Sequence, residues 1–584
     1  MPKRNERQVR QHQASKFSWR LFIVLIAAHY VCRVLLESRY WVNDDLAHLY
    51  FSNGEWTGNT EVNLVFVHPI FGTLVSYAYD IYPNFPWYPS LLLLSIIASF
   101  VTLAHFTHKK RFRLALVFIS VISVVQFTLL PTFTFSAIVC AGLGLAIVFL
   151  HSSKPSAWRY ALGLSFFTIG VSIRPESKYI AVAISMPLFL YSWNQILKNK
   201  SASKIVRHTI LTFVVLGTFH LIQSGSFVCN SGESNNCQEW EIYSKYNYER
   251  GQFHGSPNMY VLEEKYATLG WTELDMKLFS SWLYPDSEKF GPETMDRAFD
   301  LLAQDGNYRA IKVSEISPKK IFHSAPLVFY FLVFIAFTHG AANILRKRHK
   351  FYSLLIPGTT LLAWVFLLLL LSSIRLPQTV VIPSCILCSA LIAVGFDQDV
   401  KKSKKPALHA SREGINLNDS AQSMANNFII FIVASFLVLF MQGAQAASAT
   451  SYSRNSIGAT SIQNAKEAFG NQPFLIPVNL SDLLLNHDPW DERSTLGNTQ
   501  MQLMGWPVFS PHNSKRLNES GLNGIFSPFV FNTPDFVSDY VFCGNKQQAQ
   551  DISKYLIQDY GYQNVARQVS EVEGVCKVWN FAPA

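Results

Sequence analysis

Long uncharged stretches alternate along this chain with short polar or basic segments. Tyr88–Phe106, Leu114–Leu130, Phe133–Leu150, Ala325–Leu345 and Phe351–Leu371 each reach the roughly 17–25 residues that a bilayer-crossing helix needs. Runs of that kind satisfy their backbone polar groups in lipid only as helices. The pattern predicts helices near 21–36, 88–107, 113–130, 133–150, 158–173, 178–192, 208–228, 324–345, 351–372, 378–395 and 427–446. The expectation is an α-helical polytopic membrane protein with about eleven transmembrane helices.

Three segments break the pattern. Residues 37–87 and 229–322 form large loops, and 447–584 form a soluble tail. In the first loop "VHPIFGTLVSYAYDIY" has apolar residues at helical spacing. It reads as an amphipathic helix lying on the membrane surface rather than a span. The tail combines the apolar runs "PFLIPVNL" and "PFVFNTPDFV", a helical stretch "QQAQDISKYLIQDYG" and a closing run "GVCKVWNF". That mixture predicts a small α/β or α+β domain. The basic stretch "KKSKKPALHASREGINLNDSAQS" reads as a linker. The organisation expected is a cytoplasmic segment 1–20, a membrane domain 21–446 carrying both loops, and an extracytoplasmic domain 447–584.

Charge fixes which side is which. With 1–20, 108–113, 151–159, 193–208, 346–350 and 396–426 inside, the inner segments hold 25 of the 49 basic residues and five of the 39 acids. The remainder carries 24 basic and 34 acidic residues, a net of −10. Lys and Arg are retained in the cytoplasm, so the N-terminus is expected inside and the three large segments outside. The formal charge of +10 therefore marks topology and not a nucleic-acid partner. Cysteines agree. Cys32, Cys140, Cys385 and Cys388 fall within predicted helices, whereas Cys229, Cys237, Cys543 and Cys576 lie only in the outer segments. Outside the cytosol disulfides persist, and Cys229–Cys237 and Cys543–Cys576 are the expected pairs.

The outer face holds the candidate chemistry. "RYWVNDDLAHLYFSNGEW" places Asp44 and Asp45 just after the first helix. Paired acids there suit proton abstraction from a hydroxyl, or the binding of a divalent cation. An acidic surface loop or a helix cap is the structural alternative. "SIRPESKY" places Arg174, Glu176 and Lys178 at a helix join, and "SSIRLPQT" places Arg375 at another. An Arg fork matches phosphate oxygens, and a lipid phosphate lies at this depth; reaching out to headgroups is the structural alternative. "DMKLFSSWLYPDSEKF" offers Lys277, Trp282, Tyr284 and Asp286 as a roof, with rings to stack on sugars, or as an apolar patch seated on the membrane. "DPWDER" in the tail is a further candidate contact for an acceptor glycan.

Acids that activate a hydroxyl, with guanidiniums that hold a lipid phosphate, describe sugar transfer from a polyprenyl carrier. The "NDD" at 43–45, the "HPIFG" at 68–72 and the following "PNFPWYPSLLLL" resemble the GT-C glycosyltransferases, in particular the protein O-mannosyltransferase and aminoarabinose-transferase branch. The likeness is detailed over about residues 20–110 and architectural beyond. Asp-Asp stands where Asp-Glu is commoner in that branch, and "HPIFG" lacks a second Pro.

The resemblance implies inverting transfer from a polyprenyl-phosphate-linked sugar. The acceptor would be a cell-envelope glycan, teichoic acid, lipid or protein. Asp44 or Asp45 would be the base, and Arg375, Arg174 and Lys178 would stabilise the departing phosphate. His68 would orient the donor or an Asp, or serve as a structural interfacial residue, and Glu176 would neutralise Arg174. No cofactor beyond a divalent cation is implied, and the membrane lipids are the other partner. A transporter or flippase of lipid-linked saccharides would instead place ionisable groups mid-helix. A polysaccharide polymerase or ligase is the rival closest in chemistry, and a non-catalytic envelope protein whose tail binds partners is the third class.

Overall fold

A computed structural model describes residues 2–304, 355–399, 474–477, 488–490, 501–519 and 541–583, apart from breaks at 37, 108–109, 151–156, 199–201, 224, 230–233, 256–262, 286, 373–376, 562–563 and 573–575. The first nine helices are α1 (Pro2–Leu35), α2 (Asn43–Ser52), α3 (Pro69–Ile81), α4 (Trp87–Phe106), α5 (Lys110–Leu129), α6 (Phe133–Phe149), α7 (Ala157–Ile173), α8 (Ser177–Lys198) and α9 (Ala202–Leu221). After them come α10 (Ser234–Gly255), α11 (Glu273–Ser280), α12 (Pro292–Gln304), α13 (Leu355–Ser372) and α14 (Gln378–Asp399). The tail contains β1 (Phe474–Pro477), β2 (Met501–Met504), α15 (Pro511–Glu519), β3 (Val541–Gly544), α16 (Lys546–Tyr560), β4 (Asn564–Val572) and β5 (Cys576–Pro583). The described chain is mostly helical, with one small sheet at its C-terminal end.

Two compact units result. One comprises residues 1–37, 90–223 and 314–448; the other comprises 38–89, 224–313 and 449–584. In the first, the described helices lie near where the apolar runs predict them, except that α9 occupies Ala202–Leu221 where the pattern predicts 208–228. The predicted helices 324–345 and 427–446 lie outside the described residues. Among the described residues three helical stretches, Lys16–Leu35, Trp87–Phe106 and Ser177–Leu197, are long and apolar enough to cross a membrane; five shorter apolar helices accompany them. The basic segment before Lys16, expected as a polar tail, continues α1 as helix.

Helix α6 is buried along its whole length, and glycines set how closely α7 approaches it. A Cβ on Gly170 would meet Ala141 N at 2.4 Å, and one on Gly144 would meet Phe167 N at 2.5 Å. Small residues of this kind let apolar helices pack backbone to backbone where burial against lipid offers no advantage.

The second unit gathers both loops and the tail. The tail does not stand as a separate module: Trp240, Phe253, Phe279 and Phe290 from 224–313 share one core with Phe542, Ile552, Tyr555 and Trp579 from the tail. Strand order is β2-β1-β3-β5-β4. β1 runs parallel to β2 and β3, and β5 runs antiparallel to β3 and β4. Helix α16 forms where "QQAQDISKYLIQDYG" predicts it. Asn545 and Gln548 close a capping box at its start, and Gly561 at φ +67° ends it. Both expected disulfides are present, with Cα–Cα separations of 5.2 Å for Cys229–Cys237 and 5.4 Å for Cys543–Cys576.

Between residues 38 and 86 no helix is long and apolar enough to cross a membrane. Helix α3 buries Phe71, Val75 and Tyr79 and exposes Leu74, Tyr77 and Ile81, which is the two-faced helix that the apolar spacing predicts.

Candidate functional site

Helix α2 starts on Asn43, so Asp44 and Asp45 both fall in its first turn, where carboxylates are favoured by the helix dipole. Adjacent positions on a helix point in different directions, and the two acids differ accordingly. Asp44 is partly exposed. Trp506, which precedes α15, donates its indole N–H to Asp44 Oδ1 at 3.0 Å. Asp45 is fully buried and accepts the Tyr88 hydroxyl proton at 2.9 Å.

Tyr88 extends the buried side of the site. Its oxygen lies 3.1 Å from His48 Nδ1. A phenol has one proton, and with that proton on Asp45 the His48 contact requires Nδ1–H as donor. His48 is also fully buried and packs edge-on against Phe66 and Tyr88. Tyr40, buried nearby, is held protonated by burial, reinforced by the charge of Asp45.

Trp506 links Asp44 to the second loop. Its carbonyl accepts the Tyr243 hydroxyl at 3.0 Å. Tyr243 belongs to α10, whose inner face also carries Tyr246, Arg250 and Phe253. The unit thus brings residues near positions 45, 245 and 506 to one place.

His68 is the N-cap of α3: its Nδ1 accepts the Ile70 amide proton at 3.3 Å, and burial lowers its pKa. Gly72 of the same motif lies against the preceding loop, where a Cβ would fall 1.9 Å from Val62 O. "HPIFG" therefore has a mechanical role in seating α3.

Lys277 pairs with Asp551 of α16 at 2.8 Å. Trp282 packs on the core of the second unit, beside the buried Tyr284. Asp286 and the 491–493 part of "DPWDER" lie outside the described residues.

Arg174, Glu176 and Lys178 belong to the other unit. Arg174 Nε is 3.5 Å from Glu176 Oε2, the guanidinium also bonds Thr134, and it sits 5.0 Å from the Phe133 ring centroid. Glu176 is thus the counter-charge expected of it. Lys178 Nζ donates to the carbonyls of Phe219 and Ile222 at 2.9 and 2.8 Å, closing the C-terminal end of α9. Arg375 lies outside the described residues. Among the described residues, no three His, Cys, Asp or Glu side chains come together as metal ligands.

Sequence reasoning did not find Tyr88, Trp506, Tyr243 or Arg250, and it left His48, beside the acid pair in sequence, without a role. Tyr88 was read as part of a spanning run, and Trp506 is 462 residues from Asp44, a distance at which no local pattern informs. Comparison with protein-family models, with curated proteins and with solved structures finds no match to this chain.

Proposed function

We propose that the protein is a membrane glycosyltransferase that moves a sugar from a polyprenyl-phosphate donor to a cell-envelope acceptor at the outer face of the plasma membrane. In this reading about eleven helices cross the bilayer, the N-terminus is cytoplasmic, and the 38–89, 224–313 and 449–584 segments face outward. The reading keeps the resemblance to the GT-C transferases as its source for donor class and stereochemistry.

The observation that carries it is the division of labour within the acid pair. Asp45 is buried under a Tyr88 hydroxyl, while Asp44 is partly exposed and oriented by Trp506. Asp44 is then the base and Asp45 the positioning group, an assignment that the sequence leaves open. In the reaction, a carboxylate oxygen of Asp44 takes the acceptor hydroxyl proton as that oxygen attacks the anomeric carbon. The bond from this carbon to the phosphate oxygen breaks, and its electron pair leaves with the polyprenyl phosphate. Inversion follows from single displacement.

Arg375 and Arg174 are assigned to the departing phosphate, whose charge grows in the transition state. Glu176 tempers Arg174, and Lys178 is withdrawn from the binding set because its ammonium is engaged by α9. His68 is assigned to seating α3 and not to the donor.

The test is transfer by purified protein over a panel of polyprenyl-phosphate sugars, with Asp44→Asn and Asp45→Asn beside wild type. The assay also separates a transferase from a flippase, which yields no glycosylated product. Normal turnover by both variants would remove the proposed base.

A further inference from the structure

Buried in the second unit is a guanidinium that the transfer reaction above does not use. Arg250 is 3 % exposed. Its Nη2 donates to Asn247 Oδ1 at 2.6 Å, and the guanidinium also hydrogen-bonds the Tyr284 hydroxyl. Its Nε and Nη1 have no hydrogen-bond partner among the described residues, nor has the hydroxyl of buried Tyr246 one turn away. A buried guanidinium with two donor positions unmet is expensive, and native proteins rarely leave such donors unpaired. The neighbouring acid does not meet it: Glu249 turns to Lys245 and Asp296.

A second, independent observation concerns Trp282. Helix α11 ends in a Schellman motif, with Leu283 N bonded to Leu278 O at 2.9 Å and Trp282 N to Phe279 O at 3.0 Å. The position between them demands a left-handed backbone, and glycine usually fills it. Here it is Trp282, at φ +61°, the only non-glycine residue with positive φ among those described. An aromatic side chain in that region is strained, and such strain persists where surrounding structure enforces it.

The strained ring lies on α10. Trp282 is parallel to His254, with centroids 4.3 Å apart and planes at 7°, and its centroid is 4.8 Å from Arg250 Cζ. His254 is stacked in turn on Phe279 at 4.3 Å and shares a 2.7 Å hydrogen bond with Tyr284. Arg250 and His254 stand one helical turn apart, so the indole spans both and remains partly exposed. The outcome is a fixed aromatic plate beside a cation with two donor positions unmet.

We propose that Arg250 and Trp282 form a subsite for an acidic saccharide, the guanidinium taking a carboxylate or phosphate ester of the sugar and the indole taking the ring. A planar fork suits either oxyanion in bidentate fashion, and an aromatic face suits the C–H face of a sugar. Tyr243, on the same helix, reaches Trp506 and through it Asp44. The proposal rests on the transferase reading only in naming this saccharide the acceptor; binding stands apart from it.

The test is calorimetric binding to purified full-length protein in detergent, which does not require transfer. The probes are trigalacturonate, its neutral methyl ester, glucose 6-phosphate and inorganic phosphate. Wild type is expected to bind trigalacturonate, glucose 6-phosphate or both, at least about tenfold more tightly than the ester or the free ion. Which of the two acids binds identifies the oxyanion. Arg250→Gln is expected to abolish this preference and Arg250→Lys to retain part of it. Trp282→Gly relieves the backbone but loses the stacking on His254, so its melting temperature falls; at a temperature where it is folded, affinity falls at least about tenfold. Equal binding of acid and ester, equal binding of inorganic phosphate, or unchanged affinity in Arg250→Gln overturns the proposal. Loss of transfer in Asp44→Asn with trigalacturonate binding intact leaves it standing, so the two readings fail separately.

Discussion

Trp506 donates its indole proton to Asp44 Oδ1 at 3.0 Å across 462 residues of chain. A bond from a neutral donor to a partly exposed carboxylate contributes about 1–3 kcal/mol. Its role in the proposal is orientation: it fixes the plane of the Asp44 carboxylate that takes the acceptor proton. Trp506→Phe removes the N–H donor together with one ring of a buried side chain. Transfer by the folded variant is expected to fall by about five- to a hundredfold, beyond any loss of stability from the smaller ring. A loss of stability equal to the loss of activity would make Trp506 a packing residue.

Tyr88 and Asp45 behave differently because both are buried. Tyr88→Phe leaves the Asp45 carboxylate without that donor and is expected to destabilise the second unit by about 1–3 kcal/mol. Removing both partners with apolar groups of similar shape, as in Asp45→Leu with Tyr88→Phe, should recover much of that stability while transfer stays low. Chemical denaturation of the three variants measures this. Additive losses in the double variant would show that the pair is not coupled.

Stability should also depend on pH through Glu249. Burial, with Asp296 beside it, pushes this carboxyl up from its ordinary 4.5 to about 7. The native state then binds more protons than the unfolded state between these values, so stability falls as pH rises from about 4.5 to 7. Glu249→Gln removes that penalty. The variant should melt higher than wild type at pH 8 and show the smaller change between pH 5 and pH 8. A wild-type melting temperature that rises over that interval, with the variant unchanged relative to it, would contradict the assignment.

The Cys543–Cys576 bridge joins β3 to β5 across 33 residues. Replacing both cysteines by serine should cost about 3–4 kcal/mol, read as a fall in melting temperature of the oxidised protein. An unchanged melting temperature would mean the sheet holds without the bridge.

Much of the fold was legible because its signals are local. Apolar runs mark helices such as α4 and α6, and α3 shows its two faces in the spacing of Phe71, Val75 and Tyr79 against Leu74, Tyr77 and Ile81. The asymmetry of cysteines named both disulfide pairs. What local pattern does not carry is long-range association. Nothing near Phe542 says that it shares a core with Phe279, so the tail read as a separate module. Site residues divide the same way. Asp44 and Asp45 announce themselves as an acid pair, but their differing burial follows from where Tyr88 and Trp506 arrive. His68 and Gly72 read as a motif; the structure gives their reasons as a helix cap and a close backbone approach. Lys178 read as a candidate for the phosphate at a helix join; in the structure the carbonyls of Phe219 and Ile222, at the end of α9, hold it.

The most direct test of the account is product formation from a polyprenyl-phosphate sugar by the purified chain. Wild type should release polyprenyl phosphate and yield an inverted glycoside, and Asp44→Asn should lose about a thousandfold or more in rate, within the range for a general base, while remaining folded. Wild-type rates from a correctly folded Asp44→Asn protein would contradict the account at its centre.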